Sequence, residues 1–182
     1  MQERRIGGRG AARASCRAII GIGRGAGSAV QKLFHFDAPR QRYVCDAAVV
    51  WCFDNRFELS FRKFLQRIGV VYWDAIKIAG GTKCLASPDR ESDRDFVMNQ
   101  IRISMRLHQT RRVILMLHSD CGAYGGLEEF DNNAAVERQH HREELRKAAQ
   151  VLADAIPGIV VDGYFVDFDG VWAAEVTTAA HA

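Results

Sequence analysis

The stretch RRVILMLHSDCGAYGG, residues 111–126, ends an apolar run by presenting an imidazole and a thiol three residues apart, His118 and Cys121. Two soft ligands at that spacing can grip one metal ion, but two do not complete a zinc site. A second apolar run, YVCDAAVVWCF over residues 43–53, ends beside Cys52. If the two runs are neighbouring strands, Cys52, His118 and Cys121 meet at one sheet edge. Two thiolates and one imidazole suit zinc and leave a fourth position to fill. A cysteine at a strand end is most often a small buried hydrophobe. Metal binding is favoured because both fragments lie at strand ends with polar residues beside each.

The polar residues beside Cys52 are Asp54 and Arg56. Alternate residues of an extended segment face the same way, so Cys52, Asp54 and Arg56 project toward one cavity. A guanidinium holds a carboxylate in a bidentate pair and keeps it ionised. Asp54 then either takes the fourth metal position or accepts a hydrogen bond from metal-bound water. The bland alternative is a surface salt bridge of little energetic value.

The elements that must position these residues alternate along the chain. The run 43–53 suits a strand buried on both faces. Phe57, Phe61, Phe64, Leu65 and Ile68 recur at helical spacing, and Gly69 suits the helix end. VVYWDAIKIAGG reads as a second strand. A helix follows from near Ser92, with Asp95 as its capping partner and Val97, Ile101, Met105 and His108 as its stripe. RRVILMLH is the third strand. A long helix starts at an Asp131 cap, buries Leu145, Ala148, Leu152 and Ile156, and stops at Pro157-Gly158. The remainder reads as a strand and a hairpin turning at Asp169-Gly170. The expected fold class is α/β, a mostly parallel central sheet flanked by helices, with a C-terminal antiparallel hairpin strand. In such a sheet, sites form beyond the carboxyl ends of strands, where strand order reverses.

Composition sets the outer limits. The chain has 182 residues, 48% of them hydrophobic, enough for one compact core. No apolar run is long enough to cross a bilayer. Five scattered cysteines do not suggest a secreted disulfide framework. Free thiols in a reducing, cytoplasmic setting fit better. Residues 1–43 carry a net charge of +7 and the rest −4, so the folded part is not a nucleic-acid-binding core. Residues 1–42 read as a basic Arg/Gly/Ala-rich extension, a poorly ordered tail or a dimer arm, and residues 43–182 as a single zinc domain. Within the extension, GIGRGA fits G-x-G-x-x-A. It lacks a long strand before it, a long helix after it and an acid after the next strand.

Other polar residues read as structural. Asp120, between His118 and Cys121, faces the cavity or caps the loop backbone, of which the cap is favoured, and Tyr124 lines the pocket or covers the sheet edge. Cys45 and Cys84 are buried thiols, and Cys16 lies in the tail. His140 and His141 face solvent on a charged helix, and His108 is a packed side chain. Trp51, Phe53, Phe57, Tyr72 and Trp73 form either an apolar cavity wall or dimer core.

The paired motifs CFDNR (Cys52, Asp54, Arg56) and HSDCG (His118, Cys121, Gly122) resemble C-x-D-x-R and H-x-x-C-G of the β-class carbonic anhydrases. KIAGG, residues 77–81, is similar to the R-N-A-G segment of that family. The resemblance covers roughly residues 44–170. It implies Zn2+ held by Cys52, His118 and Cys121, an Asp54–Arg56 catalytic dyad, and a homodimer or higher homo-oligomer; the charge balance and hydropathy add the expectation of no nucleic-acid or membrane partner. The implied activity is reversible hydration of carbon dioxide to bicarbonate, in which zinc lowers the pKa of its bound water from 15.7 toward about 7 and the hydroxide attacks the substrate. A zinc hydrolase of carbonyl sulfide or carbon disulfide, or a non-catalytic zinc-binding homologue, are the alternatives. The chain departs from the family pattern at Phe53, Asn55, Lys77, Ile78 and Leu117.

Overall fold

A computed structural model describes residues 30–176. Cys16 and the GIGRGA segment lie outside the described residues. The chain divides into residues 1–39 and 40–182. Residues 30–39 of the first unit carry no helix or strand.

In the second unit five described strands form one sheet: β1 (Ala47–Cys52), β2 (Trp73–Ile78), β3 (Arg112–His118), β4 (Val160–Val166) and β5 (Val171–Ala174). Their order is β2-β1-β3-β4-β5. β1 pairs in parallel with β2 and β3, β3 pairs in parallel with β4, and β5 returns antiparallel to β4. The mostly parallel α/β sheet with an antiparallel end is thus the fold the alternation of elements implied. The hairpin closes at Asp167–Gly170, where the Asp167 N–H donates to the Gly170 carbonyl.

Every residue of β1 is buried, because helices cover both faces of the sheet. On one face α1 (Glu58–Arg67) packs Phe61 and Leu65, with Phe57, against Ala47, Val49, Trp51, Ile114 and Met116. On the other, α3 (Glu91–His108) and α4 (Ala134–Ala155) enclose Ala48, Val50, Val113, Leu115 and Leu117. The strict period of two sends alternate side chains of one strand into two separate cores. A short helix, α2 (Lys83–Ala86), follows β2 and was not expected from the sequence.

Three local expectations are corrected. The Ser92–Asp95 cap is not made: α3 begins at Glu91, with Arg90 in the capping position and no side-chain cap among the described residues. Asp131 does not cap α4. Asp131 and Asn132 sit at φ +53 and +57, finishing the turn before the helix, so the cap falls to Asn133. Its side chain accepts from the N–H groups of Ala135 and Val136. His141 does not face solvent; it is 0% exposed. The stripe Leu152–Ala148–Leu145 continues toward the helix N-terminus through His141 and Glu137, so these residues turn inward. Among the described residues no helix is long and apolar enough to cross a membrane.

Candidate metal centre

β1 leads to β2 on one side of itself and β3 lies on the other, so the strand order reverses between β1 and β3. Their carboxyl ends carry Cys52 and His118, and the loop after β3 turns Cys121 back toward both. One donor atom from each of Cys52, His118 and Cys121 falls within 4.8 Å of the others. All three residues are at least 96% buried. Asp120, between His118 and Cys121, takes φ +53 to make that turn.

The donors suit a metal in chemistry as well as placement. His118 Nδ1 lies 2.8 Å from the Ser119 carbonyl oxygen; as the donor there, it leaves Nε2 with a free lone pair. That Nε2 is buried without a hydrogen-bond partner among the described residues. Buried polar atoms are nearly always satisfied, so an orphan beside two thiols is a candidate ligand position. The close approach of the two sulfurs holds the Cys52 thiol below its ordinary pKa and pushes that of Cys121 up.

Asp54 stands beside the cluster, its Oδ2 4.0 Å from His118 Nε2, and is turned toward Arg56. Asp54 Oδ1 accepts from the Arg56 main-chain N–H at 2.9 Å. Arg56 Nε reaches both carboxylate oxygens at 3.1 and 3.0 Å, and Nη2 reaches Oδ2 at 2.6 Å. Those bonds hold the Asp54 carboxyl below the usual carboxylate range. Arg56 also donates to Asp120, from Nη1 to Oδ2 at 2.8 Å and from Nη2 to the carbonyl at 2.9 Å, which holds the Asp120 carboxyl down as well. The rings of Phe57 and Phe168 flank the guanidinium at 5.7 and 5.6 Å.

The five residues singled out from sequence are therefore brought together. Asp120 does cap the loop, accepting from the Leu127 N–H at 3.1 Å. Its second role, as a carboxylate sharing Arg56 with Asp54, has a sequence signal only in its position between two ligands. Phe168 arrives from the β4–β5 turn, and nothing in its local sequence marks it. A cleft of about 900 Å³ opens over the cluster, lined by Phe53, Ala79, Gly80, Ala123 and Gly125 among others. Trp51 and Phe57 are buried in the α1 core, with Trp73 packed against it. Tyr72 is exposed and does not line the cleft. Cys45 is buried, Cys84 is half-buried, and His108 lies against Asp74.

Comparison with known proteins places this geometry. The family model described as "Putative carbonic anhydrase" matches residues 44–177. An uncharacterized protein of Rickettsia bellii is 25% identical over 126 residues, 68% of this chain and 77% of its own length. One from Rickettsia conorii is 24% identical over 126 residues, 68% of each chain. A carbonic anhydrase of Streptococcus mutans superposes with a TM-score of 0.50 at 21% identity, covering 74% of this chain and 84% of the other. The β-carbonic anhydrase isoform I of Trichomonas vaginalis superposes with a TM-score of 0.53 at 14% identity, covering 80% and 90%. The match over most of the folded chain and the shared architecture agree: this chain belongs to the carbonic anhydrase family, as a divergent member with the β-class fold.

Proposed function

We propose that the protein reversibly hydrates carbon dioxide to bicarbonate on a zinc ion held by Cys52, His118 and Cys121, with Asp54 and Arg56 as its catalytic pair. The observation that carries this reading is the buried, unpartnered His118 Nε2 facing two thiols, with a carboxylate locked 4.0 Å away. Zinc in that site would supply a Lewis acid able to bring the pKa of a water from 15.7 toward about 7.

The chain's own residues do the rest. Three N–H groups of Arg56 hold Asp54, with Nε shared between its two oxygens, and they keep the carboxylate ionised and turned from the metal position. Asp54 Oδ2 stays 4.0 Å from His118 Nε2, near enough to orient an O–H at the open metal position. Phe53, Ala79, Gly80 and Ala123 give the cleft an apolar side suited to a small linear molecule without charge. The reading extends to a homodimer or higher oligomer, supported by the outer position of β2 in the sheet and exposed Val71 and Tyr72 just before it. It extends also to a cytoplasmic protein, since Cys45, Cys52, Cys84 and Cys121 are free thiols. Residues 43–182 then form the zinc domain, and the basic residues 1–42 an extension or arm.

Stopped-flow hydration by the zinc-loaded protein is the test. Asp54→Ala should lower turnover about 10²–10⁴-fold while zinc is retained. Full zinc occupancy with no hydration activity from neutral to alkaline pH would sink the proposal.

A further inference from the structure

α4 carries three ionisable side chains on its inward stripe, Glu137, His141 and Glu144, and each is at most 1% exposed. Burying such groups is costly unless they are bonded, and the two carboxylates are bonded to one short piece of chain. Glu137 Oε1 accepts from the main-chain N–H of Asp120 at 2.6 Å. Glu144 Oε2 accepts from the Tyr124 hydroxyl at 3.2 Å and from the Ser87 hydroxyl. The two anchors, seven residues apart on the helix, therefore grip the loop at residues 120 and 124, on either side of Cys121.

This loop needs holding. β1 and β3 place Cys52 and His118 through the sheet ladder, but Cys121 lies beyond the last residue of β3 and belongs to no strand. The neighbouring Asp120 is a non-glycine residue at φ +53, a conformation that persists only where its surroundings impose it. A hydrogen bond from that residue's own N–H to a buried carboxyl is such an imposition.

We propose that Glu137, supported by Glu144, is a positioning residue for the metal centre: it fixes the loop that delivers the Cys121 sulfur and acts through that loop rather than on the metal or substrate. The inference rests on the zinc reading above. The Asp120 N–H needs an acceptor oxygen rather than a charge, and a glutamine side-chain carbonyl offers one at the same reach. Glutamine of the same length should therefore replace it.

The test compares zinc affinity by chelator competition, and the visible spectrum of the cobalt-substituted protein, for the parent, Glu137→Leu and Glu137→Gln. Outer-shell partners of metal ligands typically contribute 10–100-fold in affinity. Glu137→Leu should bind zinc about 10–100-fold more weakly and show altered cobalt bands, while Glu137→Gln restores both. Should the leucine variant fail to fold, Glu137→Asp keeps the carboxyl but shortens its reach, and should show the same loss. Parent-like affinity and spectrum in the leucine or aspartate variant overturns the proposal, as does a glutamine variant no better than leucine. A parent chain that takes up no zinc overturns the reading beneath it, and this inference with it.

Discussion

Gly81 tests how tightly the sheet edge fixes the ligand geometry. Its backbone sits at φ +52. A methyl group added there would meet the main-chain nitrogen of Cys52 at 2.8 Å, the carbonyl carbon of Trp51 at 2.9 Å and the carbonyl oxygen of Met116 at 3.1 Å. All three are backbone atoms of β1 and β3, held in the centre of the sheet, so none can swing aside as a side chain would. The left-handed conformation costs a residue with a Cβ roughly 1–2 kcal/mol. Overpacking a fixed core typically adds about 1–3 kcal/mol. Gly81→Ala should thus lose about 2–5 kcal/mol, a Tm decrease of roughly 4–20 °C for a chain of this size.

Gly69→Ala is the matched control. Its φ is +79, but no described heavy atom lies within 4 Å of the added Cβ, so only the conformational cost of roughly 1–2 kcal/mol remains. Urea unfolding of both variants, with and without zinc, separates the two contributions. The alanine at 81 presses on the nitrogen of a ligand residue, so its penalty should grow when zinc is bound, whereas the penalty at 69 should not. Equal losses in the two variants would refute the steric argument. A Gly81→Ala loss that is the same with and without zinc would refute its link to the metal.

Two further perturbations address the metal and the opposite end of the sheet. Cys52→Ser should lower both zinc affinity and Tm, because ligand bonds at two strand ends tie the sheet together; metal analysis finding undiminished zinc would defeat this. Burial alone would raise the pKa of Asp74. Hydrogen bonds from Ser104 at 2.5 Å and Tyr43 at 2.7 Å, with His108 at 2.8 Å, outweigh it and hold the carboxyl below its ordinary 3.8. A depressed carboxyl contributes stability that is present above its unfolded pKa and lost as pH falls through the folded value. Asp74→Asn should therefore be less stable than the parent at pH 6, by about 1–3 kcal/mol, with the gap closing as pH is lowered from 4 toward 2. A gap that stays constant in urea melts over that range would exclude the carboxylate as its source.

What could be read from the sequence followed from period and position. Runs such as AAVVWC and RVILMLH are apolar on both faces, which only central parallel strands require, and adjacency of those strands brings Cys52 to His118. Asp54 and Arg56 follow because an extended segment repeats every two residues. The inward turn of His141 was not legible, since its flanks, ERQHHREE, carry the composition of a solvated helix face. Bonds to the Asp120 N–H, the Tyr124 hydroxyl and the Ser87 hydroxyl make burial of Glu137 and Glu144 tolerable, and they join residues 17 to 57 positions apart; His141, whose ring nitrogens find no partner among the described residues, is carried inward between them. The Asn133 cap was missed for a shorter-range reason: Asp131 and Asn132 adopt left-handed backbone, and the residue types Asp-Asn-Asn do not say which of three candidates closes the turn.

The site is thus assembled by two kinds of constraint with different consequences. Cys52 and His118 are held by parallel ladders whose register is enforced by cores on both faces, so moving either one means moving a strand. Cys121 is held by a short loop whose bonds run to α4 and to Arg56 through Asp120. The Asp54–Arg56 pair is also anchored to that loop, because Arg56 spends two of its five N–H donors on Asp120. A shift of the loop would therefore displace Cys121 and loosen the Asp54–Arg56 pair together, while leaving the sheet intact. Of the departures from the family pattern, Phe53 and Asn55 change side chains around the centre, whereas Lys77, Ile78 and Leu117 lie within β2 and β3, Ile78 in register with Cys52. The three donor atoms still meet because the backbone register of β1 and β3, and the buried acids of α4, place them whichever side chains occupy those positions.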